Sequence, residues 1–174
     1  MNGRSIVIDT ETTGLSPEHD EILQVSIIDS AGNILFDSLF RPSVSSWEEA
    51  EKINGISPDM VANAPRLIDR IHEITEIMYK SDKIIGYNTS FDLNFLRNNG
   101  LVLHGTEEII DVMNIFAPIY GEWSYKRNSW KWQKLTTAAA YYGYDWSSRT
   151  EGAHNSLGDC FATLYVYEKL KEEA

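Results

Sequence analysis

The sequence predicts an α/β fold: a central mixed five-stranded sheet, its first three strands antiparallel, flanked by helices. Three features lead there. Short apolar runs crowd the start of the chain. Helical periodicity takes over in the middle. Two further short runs, at 83–86 and 108–111, are each followed by a helical pattern. Strands first, then strands alternating with helices, imply a sheet with antiparallel and parallel neighbours.

The elements follow in order. Ser5-Ile6-Val7-Ile8-Asp9 is an apolar run suited to a central strand covered on both faces. Strands over 22–29 and 33–41 are separated by Ser30-Ala31-Gly32, a hairpin spacing. A short helix is expected over 47–53. Ser57 before Pro58 reads as an N-cap with proline in the first turn. Over 65–79, Leu67, Ile68, Ile71, Ile74 and Met78 recur at helical spacing. A strand over 83–86 precedes a helix over 90–98, with Gly100 near its end. After the strand at 108–111, Asp111 is placed to cap a helix that Pro118 stops. Trp132, Leu135, Ala139 and Tyr142 share one face of a later helix ended by Gly143. The last helix, 156–172, carries Leu157, Phe161 and Leu164 on one stripe.

The chain has 174 residues, enough to bury a core without disulfides or a structural metal, and one domain over 1–174 is the simplest account. No repeat, low-complexity tract or linker interrupts it. Apolar residues make up 43% and charged residues 24%, which excludes a disordered chain. No apolar run approaches a bilayer's thickness, and the N-terminus lacks a leader pattern, so no membrane association is expected. One cysteine, Cys160, excludes an intrachain disulfide and a cysteine zinc site, and a cytoplasmic location is the default. The formal net charge of −11 opposes nucleic-acid binding. That charge is polarised: between Glu122 and Asp145 there is no Asp or Glu, while Lys126, Arg127, Lys131 and Lys134 all fall there.

Three separated patches carry the chemistry: Asp9-Thr10-Glu11-Thr12-Thr13-Gly14, Asn88-Thr89-Ser90-Phe91-Asp92, and His154-Asn155-Ser156-Leu157-Gly158-Asp159. Asp9 and Glu11 alternate off one face of a strand. Two like charges so close would raise one pKa unless a cation compensates. Asp92 sits in the first turn of its helix, where an acid also simply complements the helix dipole. Asp159 stands at the edge of the apolar stripe of the last helix. His154 precedes it by five residues, about 140° of helical rotation, so it belongs to the helix entrance. Taken together, four carboxylates suit two hard cations that prefer oxygen ligands, and a histidine suits proton transfer from water.

On these motifs the chain resembles the DEDDh-type 3′–5′ exonucleases, the DnaQ-like family that includes the proofreading subunit of bacterial replicative polymerase. Asp9-x-Glu11-Thr-Thr-Gly matches the family's first motif, Asn88-x-x-Phe91-Asp92 its second, and His154-x4-Asp159 its third. The resemblance implies an RNase H-like fold and release of nucleoside 5′-monophosphates from the 3′ end of DNA or RNA. It implies two Mg²⁺ or Mn²⁺ ions on Asp9, Glu11, Asp92 and Asp159, with His154 as general base. It also implies that Thr10, Thr12, Thr13, Gly14 and Leu15 cradle the terminal nucleotide, with Asn88 and Phe91 close by. Gln24 matches a position where the family often has Glu or Gln.

The segment 121–130 departs from the family in its tryptophan content. Trp123, Tyr125 and Trp130 interleave with the cations named above, so Trp130 is a candidate substrate contact on a single-stranded end. Trp132 reads as helix packing. The competing readings are a catalytically silent RNase H-like scaffold and a polymerase-partner subunit. All five catalytic positions are filled, which favours the enzyme, and the chain ends soon after its last helix, which leans toward a stand-alone enzyme or a homodimer.

Overall fold

The computed structural model describes residues 4–148 and 152–173. The chain runs β1 (Ser5–Thr12), β2 (Ile22–Asp29), β3 (Ile34–Leu39), α1 (Glu48–Asn54), α2 (Pro58–Val61), α3 (Leu67–Tyr79), β4 (Lys83–Gly86) and α4 (Thr89–Asn98). It continues through β5 (Glu108–Asp111), α5 (Val112–Tyr120), β6 (Trp123–Ser124), β7 (Ser129–Trp130), α6 (Leu135–Tyr141), a 3₁₀ turn (Trp146–Ser148) and α7 (Ser156–Glu172). The main sheet has five strands in the order β3-β2-β1-β4-β5. β1–β2 and β2–β3 pair antiparallel, and β1–β4 and β4–β5 pair parallel, as the strand pattern predicts.

Side-chain alternation along β1 divides the core in two. Ile6 and Ile8 pack with Ile74 and Met78 of α3 and Leu93 and Leu96 of α4. Val7 packs on the opposite face with Phe116 of α5, Ala139 of α6 and Leu157 and Val166 of α7. The strand is longer than 5–9. It carries Asp9 and Glu11 within the ladder opposite Ser26 and Gln24 and is irregular only between Glu11 and Thr12.

Several helix details differ from the sequence pattern. Pro118 does not stop α5. Its missing N–H costs only one bond, to an exposed Asn114, and buried Phe116 and Ala117 hold the last turn. Gly121, at φ 81°, closes the helix instead, its N–H donating to Ala117 O at 3.2 Å. α6 begins at Leu135, so Trp132 lies outside it and is exposed, not packed on a helical stripe. Ile68 is exposed while Leu67, Ile74 and Met78 are buried. α7 is buried well beyond the predicted stripe, because it lies against β1, β2 and α6 at once. Cys160, Ala162 and Thr163 are all inside, and Leu164 only partly. No helix among the described residues is long and apolar enough to cross a membrane.

A third, smaller cluster fixes α1. Trp47 packs with Leu23, Ile56 and Val61, and its Nε1–H donates to Ile56 O at 2.7 Å. Trp47→Phe keeps most of the ring but leaves a buried carbonyl without a partner. The expected loss is roughly 1–3 kcal/mol in a urea unfolding titration. An unchanged midpoint would show that α1 is held by other contacts.

Candidate active site

Asp9 and Glu11 leave β1 on the face that meets α7. Asp159 comes to them from the first turn of α7. Ligand oxygens of Asp9, Glu11 and Asp159 all lie within 4.8 Å of one another. Asp92 arrives from the other side. The β1–β4 ladder reaches only Val7 and Ile85, so the end of β1 runs past its neighbour. There Thr10 turns both its backbone N–H and its hydroxyl onto the Asp92 carboxylate, the hydroxyl at 2.7 Å. Asp92 is buried in the first turn of α4, so it faces the cluster as well as complementing the helix dipole.

These acids are held at an electrostatic cost. Burial, then repulsion from Asp92, Asp159 and Glu11, pushes the Asp9 carboxyl well above the usual carboxylate range. Burial and Asp159 raise Glu11 to about 8, against a hydrogen bond from Asn54. Burial raises Asp92 to about 7 although Thr10 donates to it. Burial likewise raises Asp159 to about 7, partly offset by the His154 N–H. A set of oxygen-only donors, mutually close and repelling, fits hard divalent cations and little else.

The entrance to α7 is pinned to the sheet by polar groups. Asn155 caps the helix, its Oδ1 accepting from the N–H of Leu157 at 3.1 Å and of Gly158 at 3.4 Å. Ser156 is fully buried, and its hydroxyl bonds that of Ser26 on β2. Ser26 Oγ also donates to Asp37 Oδ1 at 2.8 Å, and Gln24 Nε2 donates to the same oxygen at 3.0 Å. Gln24 Oε1 accepts from Ser156 N at 3.4 Å. His154 stands just outside this anchor, exposed, with φ 62°. Its backbone N–H donates to Asp159 Oδ1 at 3.3 Å.

Beside the carboxylates lies a pocket of about 330 Å³. Thr10, Thr12, Thr13, Gly14, Leu15 and Phe91 line it, as do Glu49, Ala50, Ile53 and Asn54 of α1. The α1 contribution is not visible in the sequence reading, because a polar residue before a helix-ending glycine carries no special signal. Leu15 and Ile53 are exposed and form apolar lips. Gly14 has a plain packing reason: a Cβ there would collide with the Asp20 carboxylate. A wider cleft of about 580 Å³ opens beyond Asn54, past Gln24, Asp37 and Asn155. Asn88 and Trp130 do not line either space. Asn88, at φ 67°, precedes α4 and donates its N–H to Asp111 Oδ1 at 3.0 Å. Trp130 belongs to the β6–β7 hairpin.

A family profile described as exonuclease (RNase T) matches residues 6–167. The chain is 33% identical to the uncharacterized exonuclease CP81 of Escherichia phage 186, over 95% of this chain and 87% of that protein. It is 28% identical to a DNA polymerase III subunit epsilon-like protein of Rhodobacter capsulatus, over 95% of this chain but 23% of that one. Among solved structures, E. coli exonuclease I in complex with a dA16 oligonucleotide superposes with a TM-score of 0.79 at 19% identity. That match covers 98% of this chain and 41% of the other, and at this identity it speaks to the RNase H-like fold alone.

The raised carboxyl pKa values set the sign of a pH effect. In the unfolded chain such groups titrate near 4. The folded chain therefore holds more protons from about pH 4 up through the raised values of about 7 to 8. Their contribution to stability is complete at acidic pH and is lost as pH rises through that window. In EDTA, Tm should fall between about pH 5 and about pH 8. Mg²⁺ or Mn²⁺ should raise Tm more at the higher pH. Equal cation shifts at both pH values would place the binding elsewhere.

Proposed function

The chain belongs to the RNase T exonuclease family, and from that premise we propose that it is a divalent-metal-dependent 3′–5′ exonuclease that releases nucleoside 5′-monophosphates from a single-stranded 3′ end. The observation that carries this reading is the convergence of Asp9, Glu11 and Asp159 within 4.8 Å, with buried Asp92 alongside. Asp9, Glu11, Asp92 and Asp159 would hold two Mg²⁺ or Mn²⁺ ions. Such ions, when bound, supply Lewis acidity and neutralise charge at the scissile phosphate.

The chain's own groups account for the rest. The pocket between the Thr10–Leu15 segment and α1 takes the terminal nucleotide, with Leu15, Ile53 and Phe91 as apolar walls. Asn54 lines it, its Nδ2 donating to Thr12 O at 3.3 Å, and it links the pocket to Glu11. Asn88 and its strained backbone position the first turn of α4, and with it Phe91 and Asp92. His154, exposed at the mouth, accepts at a ring nitrogen the proton of the attacking water. The water oxygen bonds to phosphorus, the bond to the 3′ oxygen breaks, and that oxygen takes its proton from solvent.

The epsilon-like relative supports a second reading, in which the same reaction serves a polymerase partner. It differs from the first in whether the isolated chain is fully active.

The test offers 5′-labelled DNA and RNA oligonucleotides to the parent with Mg²⁺ or Mn²⁺. Progressive shortening and release of 5′-monophosphates are expected. His154→Ala should lower kcat by about 10²–10⁴-fold while leaving the metal-dependent rise in Tm. Asp9→Asn should abolish both. Activity that survives Asp9→Asn, or products bearing 3′-phosphates, would remove the carboxylate cluster from the reaction.

A further inference from the structure

The β6–β7 hairpin and the extended run 131–134 take no part in the reaction above. The two-residue strands are stapled by Trp123 and Trp130, whose rings meet edge to face at 5.0 Å. Those two indoles are largely engaged in holding the hairpin, which such short strands need. Two other rings are free. Tyr125 is 91% exposed and Trp132 is 61% exposed.

Cations surround them. Glu122 is the only acidic residue between Asp111 and Asp145, and it pairs with Lys131 and accepts from Gln133 Nε2 at 3.2 Å. The side chains of Lys126, Arg127 and Lys134 have no carboxylate partner among the described residues. Ser124, Arg127, Lys131 and Trp132 bound a cleft of about 360 Å³. It therefore combines an indole face with the guanidinium of Arg127, while the Lys131 ammonium is held by Glu122, in a protein of net charge −11.

Chain direction ties this cleft to the active-site edge. α5 starts beside Asn88, at the end of β5, and leads away from it; the hairpin turns the chain back. Gln133 is again at that edge, its carbonyl accepting from Tyr87 Oη at 2.8 Å. Tyr87 directly precedes Asn88. The segment that follows the cleft is thus tied to the loop that leads into the first turn of α4, which carries Asp92.

We propose that this cleft is a second docking site for the substrate strand, inward from its 3′ end; the inference rests on the exonuclease reading. Trp132 in the cleft and the exposed Tyr125 of the adjoining turn stack on unpaired bases, and Arg127 in the cleft meets the phosphates together with its sequence neighbours outside it, Lys126 and Lys134. The mixture decides for nucleic acid over an apolar protein surface: three unpaired cations beside two free rings match a chain of phosphates and bases, and they answer the repulsion from the acidic body.

The test separates the cleft from the chemistry. Anisotropy of a labelled oligothymidylate of about 20 nucleotides, in EDTA, reads binding alone. Trp132→Ala should weaken it about tenfold or more. Lys126→Gln with Arg127→Gln should also lower the magnitude of the slope of log affinity against log salt by about 1.4, from about 0.7 per phosphate contact. With Mn²⁺, both variants should show a raised KM on that oligonucleotide. On the p-nitrophenyl ester of thymidine 5′-monophosphate, which fills only the terminal pocket, kcat and KM should equal the parent's. Parental oligonucleotide affinity in both variants, or no binding by the parent, would overturn the proposal and leave the patch to a protein partner. Equal losses on both substrates would overturn it too, by showing a disturbed fold. A parent that binds the oligonucleotide through these residues yet hydrolyses neither substrate would sink the nuclease reading and leave the docking site standing.

Discussion

The structure turns on one unfavourable interaction: carboxylates that repel each other are packed together at the end of β1, Asp92 buried and the other three partly shielded from water. Burial and proximity both push their protons to remain bound, and divalent cations are what such an oxygen-only set can accept in exchange. The architecture around them reads as a means of enforcing that proximity. β1 outruns β4, and the first turns of two helices close over its free end from opposite faces of the sheet. Asp92 and Asp159 each occupy the first turn of their helix, so the positive end of a helix dipole faces the cluster from either side.

Holding α7 in place is the harder task, because a helix buried on several sides can slide as long as its apolar contacts are non-directional. The serine pair solves this with directional bonds. Ser26 lies opposite Asp9 in the β1–β2 ladder, and its hydroxyl grips Ser156 at the start of α7. Gln24, opposite Glu11, reaches both Asp37 and the Ser156 N–H. The strand next to the carboxylates thus sets the position of the helix that supplies the third of them. A buried network of this kind specifies one arrangement because each broken bond would leave a polar atom unsatisfied.

The sheet was legible because its signals are local. Apolar runs and a Ser-Ala-Gly turn locate five strands, and a period of two puts Asp9 and Glu11 on one face. The four carboxylates and His154 were legible as types and spacings, and the fold brings the three motifs to one edge. What escaped the sequence lies in tertiary contact. Pro118 reads as a stop only if the burial of Phe116 and Ala117 is ignored. Trp132 reads as helical packing until the chain is seen to remain extended to Lys134. Asn54 enters the pocket because Trp47 fixes α1 there, a dependence no local pattern encodes. The Ser26–Ser156 bond joins residues far apart in sequence, each unremarkable alone.

Net charge looked like the main objection to a nucleic-acid substrate, and the structure changes what that number means. Four of the acidic side chains are drawn together at the site, where burial and repulsion raise their pKa values and suit them to cations. Lys126, Arg127, Lys131 and Lys134 lie in and just after the β6–β7 hairpin, where the chain meets Tyr87 through Gln133. Coulomb interactions between exposed charges fade beyond about 8 Å at physiological salt, so a strand responds to the groups lining its path far more than to the total. On the docking proposal above, the basic, aromatic groups beside the site would set how a strand approaches, and the net charge of the body would matter less.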